Sequence, residues 1–285
     1  MNRRARAAGD TEPPVEIGVA TLHTRVESWE CDHNKHWNAR YFARSFQMAA
    51  ETVAAIGGCD NRGLGLIETR HLRYHRELFV GAAVEVRSVR ISEGEHAGAV
   101  AHLLSCEGLL AATALDLPGT GAQGLPAVSP DQVVVAFPRG LVGGTIDEWN
   151  GSSPGDFIAE TGPVRPTDID HTGALLFEEI IRRVAFASHI QLAKLGLSAD
   201  YTNETGIGRM AVESRVRPSG VCKPGALLRA KSRIVSFATK SFATNHRLET
   251  HVGELMALVD LQVVTVDLAT RKAVAVPNFL QILHR

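Results

Sequence analysis

Two stretches of the chain place apolar residues at steps of three and four, the spacing of a helix with one buried face. The first stretch follows Asn38, ends at Gly57-Gly58, and has its apolar positions at Phe42, Phe46, Ala49, Val53 and Ile56. The second ends at Gly196 and has them at Phe177, Ile180, Val184, Ala187 and Ile190. The pattern predicts two long amphipathic helices, each closed by glycine.

Strand-like runs surround both predicted helices. One run precedes each helix, over 17–32 and 157–170. Four follow each helix, over 65–78, 82–91, 98–106 and 109–117, and then over 207–217, 226–237, 241–252 and 255–268. The order of strand, helix and further strands therefore occurs twice.

Landmark residues repeat with this order at a nearly constant offset. The matching positions are Asp32 with Asp170, Gly63-Leu64-Gly65 with Gly206-Ile207-Gly208, and Gly81 with Gly225. A repeat this long predicts two copies of one domain rather than a solenoid, whose period is about 20–50 residues. We predict an α+β chain with a disordered lead-in over 1–14, a first domain with its linker over 15–150, and a second domain over 151–285.

The predicted linker is rich in Gly, Pro and Ser, over 118–131 and 137–156. An apolar island between these stretches, Val133–Phe137, predicts that part of the linker packs on the domains.

Composition narrows the function classes. The chain has 285 residues, 45% of them hydrophobic, and its 30 Lys and Arg against 31 Asp and Glu leave a formal charge of −1. A basic excess typical of nucleic-acid binders is absent, and no apolar run reaches the roughly 18 residues of a membrane span. The four cysteines have no C-x-x-C spacing, which favours reduced thiols in a cytoplasmic protein.

The sharpest candidate for chemistry is the alternation of Asp32, Asn34 and His36 just before the first helix. If this stretch continues the preceding strand, the three side chains project to the same side, and backbone N–H groups of the helix start point to the same place. A carboxylate, an amide, an imidazole and free N–H groups suit acyl transfer. An Asp or Asn before a helix is also typical of a simple N-cap, so the spacing alone leaves both readings open.

The motif Asp-x-Asn-x-His before a helix resembles the signature of the hotdog thioesterases, and most closely that of the plant acyl-ACP thioesterases, which are tandem hotdog chains. That family adds a Glu from a following strand, which here corresponds to Glu77 in the run Tyr74-His75-Arg76-Glu77. The acyl-CoA thioesterases related to 4-hydroxybenzoyl-CoA thioesterase share the Asp at position 32. The motifs cover residues 29–41 and 74–81 only.

The resemblance implies two paired hotdog domains, each with an antiparallel sheet wrapped around a long helix, and hydrolysis of an acyl-CoA or acyl carrier protein thioester in fatty acid metabolism. It implies a catalytic set of Asp32, Asn34, His36 and Glu77. Asp32 or Glu77 is then base or nucleophile, and N–H groups after Asn38 hold the oxyanion. We also expect Trp37, Asn38, Tyr41 and Arg76 to bind substrate. No metal or other cofactor is expected, and a homodimer remains open.

Some positions depart from the family. Lys35 stands where Gly or Gln is usual, Trp37-Asn38 replaces a pair of Asn, and Tyr41 comes one residue early. Arg40, Arg44, Arg70, Arg73 and Arg76 are further candidates, for the phosphates of a CoA or carrier arm.

The second half has lost most of the set. It keeps Asp170, but Thr172 replaces Asn, Ala174 replaces His and Val221 stands where Glu is expected. We therefore expect the second half to complete the pocket, with Asp170 idle or accessory.

Two alternatives stay open. A double-hotdog hydratase or dehydratase uses an Asp and a His separated by Asn-Pro, whereas this chain has a shorter step and Lys35 in place of the Pro. A non-catalytic acyl-CoA binder needs no catalytic set at all.

Overall fold

The computed structural model describes residues 16–32, 35–58, 67–119, 122–141 and 154–281. The proposed lead-in 1–14, Gly63-Leu64-Gly65 and the proposed domain boundary at 150/151 lie outside these residues, so the boundary stays a prediction.

The first half contains one long helix and a set of strands. They are β1 (Val19–Arg25), α1 (Ala39–Ile56), β2 (Thr69–Tyr74), β3 (Ala83–Ile91), β4 (Val100–Cys106), β5 (Leu109–Leu117) and the short β6 (Ala127–Val128) of the linker. The second half follows the same plan. Its elements are β7 (Phe157–Pro163), α2 (Phe177–Lys194), α3 (Ala199–Thr205), β8 (Ile207–Pro218), β9 (Leu227–Phe237), β10 (Ser241–Thr250), β11 (Leu255–Asp267), β12 (Lys272–Ala273) and α4 (Asn278–Gln281).

The strands form one sheet in the order β1-β3-β4-β5-β2-β8-β11-β10-β9-β7, with β6 and β12 as short additions. The two halves of this order are mirror copies of each other. They meet where β2 pairs antiparallel with β8 through four residue pairs, from Arg70↔Val216 to Arg73↔Glu213. The structure thus confirms the α+β class and the repeated order of the halves.

Both long helices lie on the same side of the sheet, where one shared core forms. The predicted stripe of α1 is buried from Phe42 to Val53, but Ile56 at its end is half exposed. The stripe of α2 behaves identically, with Phe177 buried and Ile190 exposed. The last position of each predicted stripe was therefore wrong. In α2 the buried face continues through Gln191 and Leu192 instead.

A buried polar pair repeats under each helix. Ser88 Oγ lies 2.7 Å from His102 Nδ1, and Ser232 Oγ lies 2.8 Å from His246 Nδ1. These side chains are fully buried, so they stabilise the core and no substrate reaches them.

The apolar island of the linker packs on the outer face of the sheet, as predicted. Val133 and Ala136 are fully buried against a second cluster that includes Val89 and Leu115. The linker thereby covers the side of the sheet opposite the helices.

Contacts between the helices join the halves. The Arg40 guanidinium pairs with Glu178 and Glu179, at 3.1 and 3.0 Å. Gln47 Oε1 accepts a 2.9 Å hydrogen bond from the Phe177 N–H at the start of α2. No described helix is long and apolar enough to cross a lipid bilayer.

Candidate active site

The segment from Asp32 to His36 forms a tight turn, which corrects the expectation that it continues the strand. The N–H of Asp32 donates to the His36 carbonyl at 2.8 Å, and the N–H of Lys35 donates to the Asp32 carbonyl at 2.9 Å. Lys35 takes a positive φ of 66°, and Cys31 pairs with Trp37 across the turn. Asp32 and His36 therefore face each other across a loop. Asn34 lies outside the described residues.

Asp32 holds this turn together with its side chain. Its Oδ1 accepts the N–H of His36 at 3.0 Å. The second half contains the same turn, in which Asp170 Oδ1 accepts the N–H groups of Thr172 and Ala174 at 2.8 and 3.1 Å. Gly173 has the positive φ there, 89°. The Asp is thus a turn-forming residue in both halves, including the half that lacks the other groups.

His36 and Glu77 meet in the structure. His36 Nδ1 lies 3.4 Å from Glu77 Oε1, and both side chains are largely buried, at 15% and 24% exposure. The backbone brings them together, because His36 forms a bridge with Phe79 and the Trp37 N–H donates to the Leu78 carbonyl at 2.8 Å.

The second half adds a cation that the sequence analysis missed. Arg271 Nη1 donates to Glu77 Oε1 at 2.8 Å, and its Nη2 lies 3.5 Å from His36 Nε2. With Nη2 as donor, His36 Nε2 is the acceptor in this contact, and Nδ1 is left to face Glu77.

A hairpin between β11 and β12 presents Arg271. Asp267 Oδ1 accepts the N–H groups of Ala269 and Thr270, and the Arg271 N–H donates to the Asp267 carbonyl at 2.8 Å. Hydrogen bonds from Thr270 hold the pKa of Asp267 below its ordinary value. Arg271 itself adopts a positive φ of 58°. No local pattern marks such a residue, since its partners Glu77 and His36 lie 194 and 235 positions earlier.

The start of α1 offers fewer free donors than expected. Asn38 caps the helix through its side-chain oxygen, which accepts the Arg40 N–H at 3.0 Å. The N–H groups of His36, Trp37, Asn38 and Tyr41 also have acceptors within the protein. Among the N–H groups after Asn38, those of Arg40 and Tyr41 therefore already have acceptors, and the oxyanion role of this helix start stays a prediction.

The proposed substrate residues have varied surroundings. Trp37 is buried against Phe42, and its Nε1 donates to Glu30 at 2.8 Å, which favours a core role over a pocket role. The half-buried Tyr41 ring lies beneath the guanidinium groups of Arg40 and Arg44.

Most of the arginines proposed for phosphate binding already have partners. Arg70 is fully buried and makes two 2.7 Å hydrogen bonds to Asp116. Burial raises the pKa of Asp116, but the Arg70 guanidinium outweighs this and holds that pKa well below its usual range. Arg44 pairs with Glu30. The side chain of the exposed Arg76 makes no ion pair or hydrogen bond with His36 or Glu77 within the described part of the chain.

The corresponding place in the second half is a cavity that lacks counterparts of His36 and Glu77, although Glu68 of the first half lies in its wall. A space of about 580 Å³ is lined by Thr172, Ala174 and Val221, which occupy the positions of Asn34, His36 and Glu77. Among the described residues, no group of three His, Cys, Asp or Glu side chains is arranged to hold a metal.

Comparison with known proteins agrees with this architecture. Residues 164–282 match the sequence profile of the Thioesterase-like superfamily. No curated protein sequence matches the chain. The profile falls on the half without the His36–Glu77 pair, so it identifies the scaffold rather than the acid–base groups.

Solved structures extend the likeness to most of the chain. The 12:0-ACP thioesterase of Umbellularia californica superposes with a TM-score of 0.59 at 14% identity, over 86% of this chain and 93% of that one. The chain has the double hotdog fold. An acyl-ACP thioesterase of Bacteroides thetaiotaomicron gives a TM-score of 0.55 at 10% identity, over 85% and 96%. At such identities the likeness of this double-hotdog chain shows the fold alone.

Proposed function

We propose that this double-hotdog chain hydrolyses an acyl thioester at the cluster of His36, Glu77 and Arg271, with an acyl-CoA as the preferred substrate. The observation that carries the proposal is the meeting of an imidazole, a carboxylate and a guanidinium at the junction of the two halves. The superfamily match and the fold support thioester chemistry in general.

Glu77 is the proposed base. Asp32 Oδ1 accepts the hydrogen bond that closes its turn. Asp170 closes the same turn in the second half, where Ala174 and Val221 replace His and Glu. The duplication therefore acts as an internal comparison, and it favours a structural role for Asp32 and a chemical role for Glu77.

In the proposed reaction the Glu77 carboxylate takes a proton from water while the water oxygen adds to the thioester carbonyl carbon. The tetrahedral intermediate then expels the thiolate, which receives that proton, leaving free acid and thiol. His36 orients Glu77 through Nδ1. Arg271 holds the same carboxylate oxygen, Oε1, and places positive charge beside the developing oxyanion. Asn34 keeps its predicted role of orienting the carbonyl.

Phe79 is a further candidate for contact with the substrate. Its ring stands edge-on to His36, with centroids 5.2 Å apart, and about half of the residue is exposed. An exposed aromatic ring beside the acid–base groups suits the apolar part of an acyl thioester.

CoA is preferred to acyl carrier protein as the thiol. Arg40 and Arg44, the cations at the start of α1, are both paired with carboxylates of this chain. Arg40 and Arg44 are therefore less available to an acidic protein partner.

The experiment is a free-thiol assay on the full chain with short, long, aromatic and hydroxylated acyl-CoAs and with matched acyl carrier protein thioesters. Thiol release faster with CoA than with carrier protein is expected. Release from the carrier protein alone contradicts the choice of thiol. No release from any thioester, together with hydration of an enoyl-CoA, overturns hydrolysis in favour of a hydratase.

A further inference from the structure

A cavity of about 730 Å³ lies on the outer face of the sheet, beneath the linker and beside the pairing of β2 with β8. Its walls come from both halves and from the linker. The cationic side chains among the lining residues are Arg73, Arg139, Arg215 and Arg217, with His71 and His96 beside them. Glu95 is the one carboxylate among the described lining residues.

Two of these arginines lack a carboxylate partner within the described part of the chain. Arg73 Nη1 donates to the carbonyl oxygens of Val135 and Phe137, at 2.7 and 3.2 Å, and so helps to hold the linker. Arg139 is exposed at the rim, and its side chain makes no ion pair with a described residue. Arg215, by contrast, makes a 2.7 Å ion pair with Asp260.

The arrangement concentrates positive charge at partly desolvated positions. Burial lowers the pKa of the Arg73 guanidinium, nearby Glu213 raises it, and the charge of Arg139 lowers it further. Like charges held together in this way are stabilised by an anion between them.

His71 contributes a buried polar atom without a partner. The residue is only 1% exposed, and its Nε2 lies 2.6 Å from Glu213 Oε1. Its Nδ1 has no hydrogen-bond partner among the described residues. An unpaired buried nitrogen carries a free-energy cost that a ligand atom in the cavity would remove.

Glu213 connects His71 with the linker through hydrogen bonds. It accepts the N–H groups of Arg139 and Gly140 at 2.8 and 2.6 Å. Burial raises the pKa of Glu213, but the hydrogen bonds from His71 and these two N–H groups outweigh it and lower the pKa to about 2. Arg139 is thereby held at a fixed place on the cavity rim.

Other lining residues of the cavity are aromatic or apolar. The His96 and Phe137 rings stand edge to face with centroids 4.7 Å apart, and Leu117, Val134 and Pro138 continue this surface. Cationic side chains and flat rings within one cavity match a molecule with a phosphate end and a planar heterocycle.

We propose that this cavity binds a nucleotide carrying a diphosphate, either free or as the nucleotide part of CoA. Guanidinium groups are well suited to phosphate oxygens, and the volume lies within the roughly 300–1,000 Å³ of small-molecule sites. The site is separate from the His36–Glu77 cluster. Thr69, His71 and Arg73 face outwards from β2, whereas Leu72 and Tyr74 of the same strand face the helices.

The test is isothermal titration calorimetry of the full chain with ADP, CoA, sodium pyrophosphate and adenosine. ADP or CoA is expected to bind, with adenosine and pyrophosphate each weaker, because each supplies only one of the two ends. Arg139→Ala is expected to weaken ADP or CoA binding at least tenfold, and Arg139→Lys less. Arg25→Ala, at an arginine whose side chain is 71% exposed, is the matched control and should leave binding unchanged.

The outcomes separate the two sources of the nucleotide. Binding of ADP that Arg139→Ala weakens supports a free nucleotide, and binding of CoA alone with the same loss supports the nucleotide end of CoA. The proposal fails if neither binds, or if the doubly substituted Arg139→Ala/Arg217→Ala protein binds them as tightly as the unaltered chain. Thermal melts of each variant verify that the fold is intact.

Discussion

Arg271 in the second half donates a 2.8 Å hydrogen bond from Nη1 to Oε1 of Glu77 in the first. About half of the Arg271 side chain is exposed, whereas Glu77 is mostly covered. The carboxylate therefore lies between an imidazole of its own half and a guanidinium of the other half, so both halves determine where the carboxylate points.

Glu77→Gln is expected to lower kcat for thiol release by about 10²–10⁴, the range for losing a general base. Gln keeps the size of the side chain and an acceptor oxygen but cannot take a proton. Steady-state kinetics on the best acyl-CoA measure the effect. Glu93→Gln, at an exposed glutamate beyond β3, should retain full activity. A Glu77→Gln protein with normal kcat would move the base elsewhere.

Arg271→Ala is expected to reduce kcat/KM on the order of 10–100-fold, because small displacements of a catalytic group cost about that much. Arg271→Lys should recover part of the loss, since it keeps the charge but not the two-nitrogen contact with Glu77 and His36. The same kinetic assay applies, with Lys272→Ala as the neighbouring exposed control. Equal rates for Arg271→Ala and Lys272→Ala would show that Arg271 is only a surface contact.

Asp32→Asn and Asp32→Ala are expected to differ. Asn keeps an oxygen that accepts the His36 N–H, so the turn and most of the activity should remain. Ala removes the acceptor, and the loss in unfolding free energy should be about 1 kcal/mol, as for other side-chain caps.

Asp170→Ala is the matched control for Asp32→Ala. It should lower stability similarly, measured by chemical denaturation, and leave thiol release unchanged. If Asp32→Asn abolishes activity while the melting temperature stays the same, the Asp32 charge takes part in the chemistry and our assignment of roles is reversed.

His246 should make stability depend on pH. The imidazole is fully buried against Ser232 and Thr244, and burial lowers its pKa to about 3 from an ordinary 6.5. A histidine that stays neutral when folded favours the unfolded state once that state takes up a proton. Its contribution is therefore intact above pH 6.5 and is lost as pH falls from 6.5 towards 3, by about 2 kcal/mol at pH 5.

Urea denaturation at pH 7 and pH 5 measures this dependence. His246→Gln should show a smaller decrease between the two pH values than the unaltered chain. His23→Gln, at a histidine whose side chain is 74% exposed, should show the same decrease as the unaltered chain. Identical decreases for all three proteins would contradict the role of burial.

The sequence predicted the repeated architecture well because both halves depend on local periodicity. The run 109–117 matches β5 at both ends, and the predicted helix stripes are buried up to their last positions. The strand-like runs before the two long helices, 17–32 and 157–170, were predicted too long. The strands end at Arg25 and Pro163, and short 3-10 turns follow them. The helix α3 was missed, because a helix of two turns leaves little periodic signal.

The site was predicted only in part. Local motifs identified His36 and Glu77, which the structure brings together. The prediction that the chain continues as a strand from Asp32 to His36 was wrong, because the backbone turns at Lys35. Trp37 was proposed for substrate and lies in the core. Arg271 carries no local signal at all, since its contact depends on how β2 and β8 join the halves. A residue in a hairpin late in the chain becomes relevant only once that pairing is known.

The join between β2 and β8 also changes what the duplication can do. Two separate copies of a domain can each diverge without regard to the other, but here the acid–base pair belongs to one copy and the guanidinium beside it to the other. Two identical copies of either half would therefore not form this site. A double substitution that placed His and Glu at positions 174 and 221 would not bring them to Arg271, which contacts the pair of the first half. The two halves have therefore become complementary parts of one site.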